Sequence, residues 1–81
     1  MNRNLLFAID ANTEEIIVSE SPKGTNKINF IERIRRKDHE ILFNAVTTLT
    51  SITKADVFDV SIFKAMDKIC VLIYNKYKGN S

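Results

Sequence analysis

The sequence has no tryptophan, one proline, one cysteine, one histidine and two glycines in 81 residues. Each scarcity excludes something. The lone cysteine, Cys70, closes no disulfide within the chain and lies in the apolar run Ile69-Cys70-Val71-Leu72-Ile73, so a reducing, cytoplasmic setting is expected. One histidine and one cysteine, far apart, do not form a metal-ligand set of the usual kind. With so little glycine there is no phosphate-cradling loop; Lys23-Gly24-Thr25 resembles the end of one, but no glycine stands upstream at the required spacing. No apolar stretch approaches the ~18 residues of a membrane span. The N-terminal stretch has one cation and five apolar residues before Asp10, shorter than a signal-peptide core. No membrane partner and no cofactor are expected.

What is present is 44% apolar, with 12 basic and 10 acidic residues giving a formal charge of +2. That balance is too even to select nucleic acid by itself. Its distribution is more telling. Residues 1–20 set Arg3 against Asp10, Glu14, Glu15 and Glu20, whereas residues 21–37 set Lys23, Lys27, Arg33, Arg35, Arg36 and Lys37 against Glu32 alone. Eleven isoleucines and eight asparagines fit an A/T-rich coding sequence, of the kind found in viruses and mobile elements.

The length allows one small domain, 1–81, which must offset on the order of 100 kcal/mol of conformational entropy with a limited core. Leu5, Phe7 and Ile9 alternate with Leu6, Ala8 and Asp10, and Ile16-Ile17-Val18 is β-branched, so residues 4–20 predict a hairpin with Asn12 left-handed in its turn. Residues 21–27, with the only proline, predict an exposed connector. From Ile28 the apolar positions Phe30, Ile31, Ile34, Ile41, Leu42, Ala45, Val46, Leu49 and Ile52 recur at helical spacing. One long amphipathic helix is expected, capped by Asn26 or Asn29 and either continuous or broken at Asp38. Thr50 to Asp56 ends it. A second helix then carries Ile62, Phe63, Met66, Ile69, Cys70, Ile73 and Tyr77. The expectation is an α+β domain of order ββαα, the alternative being ββααβ with residues 69–74 as a third strand.

Few residues offer chemistry. His39 stands in the charged run Arg35-Arg36-Lys37-Asp38-His39-Glu40, and its sequence neighbours point about 100° away on a helix, too far round to orient its ring. The carboxylate pairs Glu14-Glu15 and Asp56 with Asp59 fit structural roles, and no serine or cysteine has an activating base. No catalytic or metal-ligating residue is assigned. Two amphipathic helices over a two-stranded sheet leave apolar surface uncovered. The expected function is therefore a non-enzymatic protein-binding module, a regulator or inhibitor, forming a homodimer or higher oligomer and binding another protein through Phe30, Ile34, Phe63 and Met66. The alternative is a nucleic-acid or acidic-partner surface built from Lys23, Lys27, Arg33, Arg35, Arg36 and Lys37. The C-terminal stretch from Tyr74 to Lys78 interleaves aromatics with lysines and reads as a helix end with cations at its negative pole.

Overall fold

A computed structural model describes residues 3–65 and 68–77. The hairpin forms as expected: β1 (Arg3–Asp10) pairs antiparallel with β2 (Glu15–Pro22) over its whole length, Leu5 opposite Glu20 and Phe7 opposite Val18. At the turn, Asp10 Oδ1 accepts the N–H groups of Asn12 and Thr13 at 3.0 and 3.3 Å, the local bonding that makes aspartate a turn former. The left-handed residue is Glu14, with φ 55°, and not Asn12. Glutamate there costs about 1 kcal/mol. Two contacts hold it: its carbonyl accepts the Arg36 N–H at 3.1 Å, and its carboxylate accepts from Arg36 Nε at 2.6 Å.

The expected long helix is divided, and its first third is a strand. β3 (Asn29–Arg35) pairs antiparallel with β2, Ile34 opposite Ile16 and Glu32 opposite Val18, with a register shift between Val18 and Ser19. Neither Asn26 nor Asn29 caps a helix. The physical reason lies in β2, whose second edge would otherwise keep unpaired backbone groups. The chain reverses where the apolar stripe is interrupted: the N–H groups of Asp38 and His39 both donate to the Arg35 carbonyl, at 3.1 and 2.9 Å. α1 (Glu40–Thr53) begins there with His39, not Asp38, at its N-cap and ends at Lys54, which is left-handed with φ 58°.

A third strand pairing lies beyond the helix. β4 (Val57–Asp59) runs antiparallel to β1, so the sheet order is β3-β2-β1-β4. A 3₁₀ segment (Val60–Ala65) follows, opened by Asp59 Oδ1 accepting the Ser61 N–H at 3.0 Å. α2 (Lys68–Tyr77) is helical throughout residues 69–74, as the periodicity favours and against the third-strand alternative. The fold is α+β with a four-stranded antiparallel sheet.

Both helices cover one face of the sheet. Leu5, Phe7, Ile16, Val18 and Ile34 point into the core, against Phe43, Val46 and Leu49 of α1 and Cys70, Ile73 and Tyr77 of α2. Phe7, Phe58, Phe63 and Tyr77 form a tilted aromatic chain with centroids 5.7 to 6.5 Å apart, the favoured geometry for such rings. No helix among the described residues is long and apolar enough to cross a membrane.

Candidate interaction surfaces

Of the four apolar residues expected to bind a partner, Ile34 and Phe63 have no exposed surface and belong to the chain's own core. Phe30 is 64% exposed but sits on a strand at the sheet edge instead of on a helix. Met66 lies outside the described residues. Apart from Phe30, the uncovered apolar surface among the described residues is carried by other side chains.

α1 and α2 run antiparallel, and the seam between them opens outward as a groove. At one end a cavity of about 640 Å3 is lined by Ile41, Leu42 and Leu72 with Lys37 to Glu40 and Lys76 at its margin. A second cavity of about 290 Å3 continues the groove past Ile41 and Leu72 to Ala45, Thr48, Lys68 and Ile69. Ile41 is 76% exposed and Leu72 39%. Helical periodicity placed Ile41 on the first apolar stripe and left Leu72 off the second, where it stands only in the run from Ile69 to Ile73. Nothing in a single chain's pattern separates a stripe's core-facing members from its outward ones. At the α1 N-terminal end of the groove Asp38 and Glu40 are balanced by Lys37 and Lys76, and Lys68 lies at the opposite end.

The basic segment is distributed over a connector, a strand and a turn, so it forms no helix face. Four of its six cations are paired, to three carboxylates. Arg33 and Arg35 both reach the Glu15 carboxylate, at 3.5 and 3.2 Å, and Lys23 pairs with Asp59. The Lys23 ammonium, with the N–H and hydroxyl of Ser61, holds the Asp59 carboxyl down to about 2. Arg36 is committed three ways: to Glu14, to Asn44 Oδ1 at 2.6 Å, and to the Phe43 ring, whose centroid is 4.4 Å from its guanidinium carbon. Lys27 and Lys37 form no ion pair with any described residue. The carboxylates that answer these cations come from β2, the hairpin turn and β4.

A buried polar cluster ties the start of β1 to the end of α2. Arg3 is 3% exposed, pairs with Glu20 and donates to the Tyr77 carbonyl. The Tyr77 hydroxyl is buried facing the Glu32 carboxylate without a hydrogen bond of good geometry, and Lys76 lies 3.8 Å from that carboxylate. Burial first, and then the Glu32 charge, push the phenol well above its ordinary value. His39 is exposed at the α1 N-cap and Cys70 is buried. Among the described residues no three of His, Cys, Asp and Glu converge as metal ligands. Against protein-family models, curated proteins and solved structures, the chain finds no match.

Proposed function

We propose that the chain is a small protein-binding module that pairs with a second copy of itself across the α1–α2 groove and acts as a regulator or inhibitor through the resulting dimer. The observation that carries this reading is the continuous outward groove past Ile41 and Leu72. Seating Ile41 of one copy in the groove of the other removes an exposed β-branched side chain from water, about 1.5–3 kcal/mol for each full burial. A two-fold arrangement lets the same groove serve both copies. A perpendicular axis near Asn44, midway between Glu40 and Thr48 along α1, brings the Asp38 and Glu40 end of one copy over the Lys68 end of the other.

The test is sedimentation equilibrium of the intact chain. A dimer is expected, converted to monomer by Ile41→Asp with the circular dichroism unchanged, since Ile41 lies on the first helical turn where an added carboxylate is tolerated. Glu40→Lys and Lys68→Glu should each weaken the dimer and restore it when combined. A wild-type chain that stays monomeric at high concentration, or an Ile41→Asp variant that stays dimeric, overturns the reading.

A further inference from the structure

We infer that the free edge of β3 is a second binding site, for an extended acidic peptide that adds to the sheet as a fifth strand. β3 is the outermost strand on its side of the sheet and offers its far edge to solvent. The bond from the Arg36 N–H to the Glu14 carbonyl sets the phase of the ladder. In an antiparallel pair the backbone groups alternate between partner and free edge, so Arg33 directs its N–H and carbonyl outward, and Arg35 its N–H. These groups, flanked by Ile28 and Phe30 at 63% and 64% exposure, are what an incoming strand pairs with.

Charge selects the occupant. The side chains of Arg33 and Arg35, 50% and 45% exposed, share the single carboxylate of Glu15, which leaves one positive charge in excess. Lys27 and Lys37 extend that excess at the two ends of the strand. A second copy of β3 docked here would bring arginines against arginines, and the edge rejects it. A strand with carboxylates at alternate positions meets both guanidiniums, because residues two apart on a strand project from the same face. Single-stranded nucleic acid is the competing occupant of a basic edge. It is disfavoured because Glu14 and Glu15 stand among the cations and only one exposed aromatic, Phe30, is available for stacking.

The site shares only Lys37, at its margin, with the helix groove, and Arg33, Arg35 and the β3 edge lie outside that groove, so it stands or falls independently of dimerisation. The test is fluorescence anisotropy with three labelled probes: a short peptide alternating valine and glutamate, the same peptide with its backbone N-methylated at alternate residues, and a single-stranded oligonucleotide. The acidic peptide is expected to bind and to weaken with added salt. N-methylation should weaken it by about tenfold or more, as loss of two or three edge hydrogen bonds requires. Arg33→Gln combined with Arg35→Gln should weaken it comparably, with the chain's melting curve confirming that the variant is folded. No binding of the peptide, equal binding of the N-methylated probe, or preference for the oligonucleotide each overturns the inference.

Discussion

The guanidinium of Arg3 donates to the backbone carbonyl of Tyr77, joining the first residue of β1 to the last residue of α2. Arg3 is therefore the clasp between the start of β1 and the end of α2. Its Glu20 partner and the last-turn carbonyl engage the two Nη groups of a charge that would otherwise be buried at several kcal/mol of cost, while Nε is buried without a partner.

Replacing Arg3 by methionine keeps the aliphatic stem but strands Glu20 and the Tyr77 carbonyl. The expected loss is about 3 kcal/mol of unfolding free energy, read as a lower urea midpoint with an unchanged slope. A change below about 0.5 kcal/mol would mean that the clasp is only a surface pair.

Tyr77 links stability to alkaline pH. Its folded phenol titrates above the ordinary value, so the neutral form is bound preferentially and the contribution is complete below about pH 10, the unfolded value. As pH rises above 10 the unfolded chain releases a proton that the folded chain retains, and stability falls by about 1.4 kcal/mol per unit. Tyr77→Phe should remove most of this dependence while costing little at neutral pH, because the hydroxyl it deletes is poorly satisfied. Urea titrations of both proteins across pH 9 to 12 would check it, with buffer values chosen around the ordinary phenol range.

Asp59 gives the opposite sign at acid pH. Its carboxyl is held at about 2, below the ordinary 3.8, so its contribution is present above the unfolded value and is lost as pH falls from about 4 through 2. Asp59→Asn should flatten the acid limb of the stability curve. Lys23→Met should flatten it partly, because Ser61 continues to donate to the same carboxylate. An acid limb unchanged in both variants would exclude this pair as its source.

Lys54 terminates α1 in the left-handed region, where its N–H donates to the Thr50 carbonyl at 2.9 Å. Glycine adopts that conformation without a Cβ penalty. Lys54→Gly should raise stability by about 0.5–1 kcal/mol, seen as an upward shift of the melting temperature. A lower melting temperature would show that the lysine side chain contributes more than its backbone strain costs.

The hairpin, the end of α1 and the helical character of residues 69–74 were all legible because each rests on local rules: alternation, turn chemistry, side-chain competition and continuous period. Of the expected connector 21–27, Ser21 and Pro22 belong to β2, and a strand, not a helix, follows it. β3 was not legible. Phe30, Ile31 and Ile34 recur at one and four positions, a spacing that a helix and a strand both satisfy over so short a window. β4 is three residues long and carries no pattern of its own. The interaction residues were the least legible, because Ile34, Phe63, Ile41 and Leu72 are alike in chemistry, and only packing separates the buried pair from the exposed one.

The sequence by itself determined a small α+β chain with few groups suited to chemistry, because scarcity of histidine, cysteine and glycine and the periods of its apolar residues are properties of neighbours along the chain. The tertiary structure decided that residues 29–35 form an edge strand and that Glu14, Glu15 and Asp59 answer the basic segment. It also decided that Ile41 and Leu72, not Ile34 and Phe63, face outward. These depend on pairing between segments distant in sequence: β2 offers a second edge that the hairpin cannot fill, and hydrogen bonding to that edge outweighs a local helical spacing.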